Sequence, residues 1–126
     1  MAKDPAEWLK QSNYDIGAAD AMFLSGRYIY AVFMCHLSIE KALKGLYMKR
    51  LNEEPPKIHD LVFLLKKVEP APSGNMKDFI YDLNSVSVPT RYPDDLERMM
   101  KNYDKERTKG ILNQTGEVLE WLTKLY

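Results

Sequence analysis

Apolar and polar positions along the chain recur at helical spacing over most of its length. Trp8, Leu9, Ile16, Ala19, Met22 and Phe23 form the first such series. It opens with Asp4 as an N-cap, Pro5 at the first helical position and Glu7 at capping-box distance, and Ser25-Gly26 is a natural stop. A second helix is predicted from about Arg27 to Leu51. At about 100° per residue, Tyr28, Val32, Cys35, Ile39, Ala42, Leu43 and Leu46 share one broad arc, wide enough for several neighbours. NEEPPK, residues 52–57, must break this helix, because two prolines cannot continue it. HDLVFLLKKV then predicts a short third helix capped by Asp60, and MKDFIYDLNSV a fourth beyond the loop PAPSGN. SVPTRYPDD is irregular, bracketed by Pro89 and Pro93. From Asp94 or Asp95 to Tyr126 the pattern is helical again, with Gly110 and Gly116 as the places where it would break. Nothing alternates with a period of two for long enough to propose a sheet. The expectation is an all-α fold, an up-and-down four-helix bundle with an additional short helix, its first two helices an antiparallel hairpin, and a single domain over residues 1–126.

Composition changes this picture little: 45% hydrophobic and 29% charged residues in 126 allow a core that needs no staple or structural metal. The longest uncharged apolar run, residues 28–37, contains His36 and is too short for a bilayer, so no membrane association is expected. The N-terminal MAKDPAEW lacks the apolar core of a secretory signal, and a cytoplasmic protein is the simplest reading. The single cysteine, Cys35, excludes an internal disulfide and reads as a small buried core residue. A formal net charge of zero argues against a general positive field for nucleic acid, so RNA is poorly supported as a partner, although Lys41, Lys44, Lys49 and Arg50 make a local basic cluster. There is no glycine-rich phosphate loop, no HExxH and no Cys/His pair at zinc spacing, and only two histidines are present. No cofactor, metal site or catalytic residue is expected.

Three polar groups nevertheless stand out. His36, Glu40 and Lys44 follow one another at four-residue steps, each about 40° further round the second helix. His36 falls inside the apolar arc, Glu40 at its edge and Lys44 further out. A surface ion pair beside a core histidine would explain them. So would a polar crevice in which Lys44 meets an anion and Glu40 orients it. Ile58-His59-Asp60-Leu61 would turn the amides of the third helix toward an anion, or Asp60 simply caps and His59 lies on the surface. Thr90-Arg91-Tyr92-Pro93 offers an arginine to grip phosphate and a tyrosine to stack on a base, or a structural ion pair and a packed ring. Tyr14, Tyr28, Tyr30, Tyr47, Tyr81 and Tyr92 are candidate interface aromatics.

Taken in order, Trp8, GRYIYAVF, SIEKALKGLYMKR, PPKIHDL and PTRYPDD resemble the HEPN domain, a family named for nucleotide binding in higher eukaryotes and prokaryotes. The resemblance runs from about Ala6 to Tyr126. It implies the same helical bundle, a homodimer, and pairing with a small nucleotidyltransferase in a toxin–antitoxin-like module. It also implies a nucleotide ligand held by Glu40, Lys41 and Lys44 from EKALK, His59 and Asp60 from HDL, and Arg91 and Tyr92 from TRYPD. Many members resemble metal-independent ribonucleases marked by Arg, four to six residues, then His. From Arg91 the candidate positions are Leu96, Glu97 and Arg98, so that histidine is missing and a non-catalytic binding protein is expected. Two alternatives stay open: an interaction module without a small ligand, and a divergent ribonuclease toxin in which His59 stands in.

Overall fold

The structure, a computed structural model, describes residues 4–68, 71–86 and 93–126. These form six helices: α1 Pro5–Leu24, α2 Tyr28–Leu51, α3 Leu61–Val68, α4 Gly74–Asn84, α5 Pro93–Asn102 and α6 Lys105–Lys124. The fold is all-α, as the periodicity predicts.

The start of α1 is the one its sequence encodes: the Asp4 carboxylate accepts from the Glu7 amide at 3.1 Å. Gly26, at φ 79°, makes the turn into α2. Such a short turn forces α1 and α2 antiparallel, and their register follows: Phe23 meets Tyr28, Ser12 meets Ser38, and Trp8 reaches Lys41. The Ser12 hydroxyl donates to the Ser38 carbonyl at 2.7 Å and the Ser38 hydroxyl to the Ser12 carbonyl at 2.9 Å. Both serines are fully buried, so this reciprocal pair locks the hairpin where an unpaired hydroxyl would be costly. Asn52 ends α2 in the left-handed region at φ 52°, ahead of the two prolines expected to stop it.

α3, α5 and α6 pack on α2, and α4 packs on α3 and α6. The core gathers Ile39, Leu43 and Leu46 of α2, Leu61 and Leu64 of α3, Ile80 of α4 and Leu122 of α6. Cys35 is fully buried, and burial pushes its thiol up to about 11, consistent with a packing role. The Tyr126 hydroxyl donates to the Ala42 carbonyl at 2.5 Å, and Lys49 reaches the Tyr126 carbonyl oxygen. The C-terminal pattern departs from expectation at one place. The break between α5 and α6 falls at Tyr103–Asp104, not at Gly110 or Gly116, because Asp104 caps α6 through the Arg107 amide at 2.8 Å. Tyr47, a candidate for exposure, is buried, and its hydroxyl donates to Glu53 at 2.9 Å. Tyr14 is well exposed. Among the described residues no helix is long and apolar enough to cross a membrane.

Candidate functional site

The centre of the stripe is Glu40, whose carboxylate is only 1% exposed. A buried carboxylate survives when its lone pairs are answered. Here the Lys44 ammonium donates to Oε2 at 3.1 Å. His59, nineteen residues further along, places Nδ1 at 3.1 Å and 3.2 Å from the two oxygens. A carboxylate only accepts, so His59 Nδ1 carries the proton that it donates to Glu40. The rest of that ring is open: the His59 side chain is 66% exposed. Lys44, expected further out on the wheel than Glu40, is buried. The segment between α2 and α3 folds back and carries His59 onto Glu40, closing the stripe from a direction that a helical wheel does not contain.

His36 lies beneath them, fully buried. Its Nδ1 is 3.7 Å from Glu40 Oε1, beyond hydrogen-bond reach, and neither ring nitrogen has a hydrogen-bond partner among the described residues. Burial is the main reason its pKa falls from 6.5 to about 4, with the Glu40 carboxylate pulling the other way. His36 is therefore neutral at physiological pH. Within the cluster Glu40 pairs with Lys44, and His59 closes the carboxylate from the other side.

Asp60 serves its own chain. Its carboxylate accepts from the Phe63 amide at 3.1 Å and from the Asn84 side chain at 3.1 Å, while Asn84 Oδ1 accepts from the Leu61 amide at 2.7 Å. Two of the amides expected to face an anion are thus occupied within the protein. Arg91 and Tyr92 lie outside the described residues.

On the α1 side, Trp8 makes the wall, a role its sequence pattern masked as ordinary core spacing. Lys41 Nζ is 5.6 Å and Lys44 Nζ 5.9 Å from the centre of its ring. Gly45 makes this approach possible: a β-carbon there would stand 2.8 Å from Trp8 Cβ and 3.0 Å from the Pro5 carbonyl oxygen. Asp15, next along the α1 stripe, has its pKa raised by burial, partly offset by Lys41. Outside the seam a groove of about 560 Å³ opens between Trp8, Gln11, Lys41, Lys44 and the loop Glu54–Lys57. Among the described residues no group of His, Cys, Asp and Glu is placed to hold a metal ion.

Comparison with known proteins agrees with this architecture. Two solved structures superpose over nearly their whole length. One is TT1696 from Thermus thermophilus, at 22% identity and a TM-score of 0.81, with 97% of this chain and 98% of that one covered. The other is ST0689, an archaeal HEPN homologue, at 24% identity and a TM-score of 0.77, with 99% and 100% covered. These likenesses concern the fold. A search of curated proteins returned no match. The family model of the HEPN domain matches residues 5–125, which take in all six helices and the whole Glu40 cluster, so the chain belongs to the HEPN domain family.

Proposed function

We propose that this HEPN-family protein is a non-catalytic, single-domain binding protein that holds a nucleotide over the Glu40 seam. The observation that carries the reading is the buried Glu40 carboxylate gripping Lys44 and His59 together. Three ionisable groups brought to one point from α2 and the α2–α3 segment exceed what packing alone requires, and removing charge from water is costly unless something is gained. Lys44 and, by its sequence motif, Arg91 contact phosphate; Tyr92 stacks on the base; His59 presents its exposed ring edge; Glu40 and Asp60 hold these groups in place. The test is titration of labelled protein with ATP and AMP, followed by backbone amide shifts. Saturable shifts at Glu40, Lys44 and His59 are expected, lost in the Lys44→Ala/Arg91→Ala double variant with its helical circular dichroism intact. Unchanged affinity in that variant would remove the reading.

A second reading concerns partners. None of the residues of α5 is buried, and Leu96 and Met100 are exposed beside a groove of about 620 Å³ that Tyr28, Ile29 and Tyr30 help to line. Such a face favours protein contact, either with a second copy of the chain or with a nucleotidyltransferase in a toxin–antitoxin-like pair. Light scattering of the purified protein at micromolar concentration tests the homodimer. Co-purification with the product of an adjacent nucleotidyltransferase gene tests the other.

A further inference from the structure

The lysines flanking Trp8 are not neutralised alike. Lys44 has Glu40 as its partner. Lys41, three residues earlier on α2, makes no ion pair within 4 Å among the described residues, and neither does Lys57 on the facing loop. Lys41 rests on the Trp8 ring, with Asp15 attracting it from further off. Two ammonium groups over one indole repel each other, and the ring quadrupole answers that only in part. Across the groove, Lys57 adds a third positive charge and Glu54 a single negative one. The groove therefore has surplus positive charge over a rigid aromatic wall, with the nearest buried carboxylate already engaged. Its size, about 560 Å³, falls within the range of small-molecule sites.

We infer that this groove is the phosphate subsite of the ligand: a phosphate chain lies along Trp8, bridging Lys41 and Lys44 and reaching Lys57. A phosphate or polyphosphate has enough oxygens to accept from several ammonium groups at once, whereas one carboxylate has two. The inference rests on the nucleotide reading above and adds the place of the phosphates and the roles of Trp8 and Lys57. Neither residue was among the sequence candidates for the site.

Trp8 supplies the readout. The chain has two tryptophans, and Trp121→Phe leaves Trp8 as the only indole. In that background, inorganic tripolyphosphate should change Trp8 emission saturably, beyond any effect of sodium sulfate at equal ionic strength. Lys41→Met and Lys57→Met should each weaken tripolyphosphate binding about tenfold, the size expected for one charge-assisted contact, and Lys41→Arg should restore most of it. AMP and ATP separate the sources of phosphate: ATP should bind more tightly than AMP and move both Trp8 emission and the His59 amide. An equal response to sulfate, or equal tripolyphosphate affinity in both methionine variants, overturns the inference. If ATP shifts Glu40 and His59 while Trp8 stays silent to ATP and tripolyphosphate, the subsite is wrong and the nucleotide reading survives. If neither ligand moves either reporter, both fall.

Discussion

The Glu40 seam and helix α5 break the usual rule of burial in opposite senses. At the seam a carboxylate, an ammonium and an imidazole lie inside the protein. On α5 a strongly amphipathic helix keeps Leu96 and Met100 outside, with no buried residue of its own. Polar groups belong on the surface and an apolar stripe belongs against a core, so each arrangement needs a reason. The reasons differ. The carboxylate of the seam is answered from within, since Glu40 has Lys44 and His59 at hydrogen-bond distance. The exposed α5 pair has no comparable answer among the described residues. A buried carboxylate that is answered internally is a preorganised surface for something small at its edge, even though the His36 ring beneath it finds no hydrogen-bond partner among the described residues. An apolar stripe left uncovered is a surface for something large.

The sharpest way to break this contrast is to remove the carboxylate. Glu40→Ala strands Lys44 in a buried position and frees His59, and losing one partner of a buried pair typically costs about 3–5 kcal/mol. Urea unfolding at pH 7 should register a loss of that order. A loss below about 1 kcal/mol, the range of surface pairs, would show that the seam is solvated and the contrast false.

Acid probes the same region through His36. Its folded pKa, near 4, is below the 6.5 of an unperturbed imidazole, so between those values the unfolded chain binds a proton that the folded one refuses. Stability is therefore full above pH 6.5 and falls as the pH drops through that window, by up to about 1.4 kcal/mol per pH unit. Asp15 works in the opposite sense: its raised folded pKa makes its burial less costly as the pH falls toward the carboxylate range. Urea melts from pH 7 to pH 4.5 should show the decline, and His36→Leu should flatten it. An equally steep decline in the variant would assign the acid sensitivity to other groups.

How far the sequence carried the structure depends on whether each signal was local. The Asp4–Glu7 cap, the Gly26 turn and the apolar arc of α2 are encoded within a few residues and appear as read. The break before α6 is also local but was misplaced. Gly110 and Gly116 look like helix breakers, yet both are helical with open space around the position of a β-carbon, and Asp104 decides the boundary by capping. Lys44 illustrates the other kind of failure. A wheel describes how residues lie round one helix, while the burial of Lys44 and the His59–Glu40 contact depend on a segment folding back from nineteen residues away. Trp8 and Gly45 were hidden for a related reason, because an aromatic and a glycine at helical spacing look like core and only the antiparallel register sets them face to face. Gly45→Ala tests that register. The added methyl meets Trp8 Cβ at 2.8 Å and the Pro5 carbonyl at 3.0 Å, and the Tyr126 hydroxyl as well, so overpacking of about 1–3 kcal/mol is expected. Thermal melting should show the loss, with a change in Trp8 emission that a substitution at the open Gly17 does not produce.

The smallest effect on stability is expected at the exposed apolar pair of α5. Leu96 is 37% and Met100 62% exposed, one turn apart on α5. Replacing both with serine removes apolar surface that this chain covers only in part, so stability should change by no more than about 1 kcal/mol. What should change is association. Sedimentation over a range of micromolar concentrations should show self-association in the parent chain and less of it in the Leu96→Ser/Met100→Ser variant. The two readouts sort the explanations. α5 is anchored on its own chain through Met99, so a stability loss above about 2 kcal/mol would mean that Leu96 and Met100 share that anchoring role, erasing the contrast with the Glu40 seam. Unchanged stability with unchanged association would leave the stripe without a second copy to cover it and direct the search to a different protein.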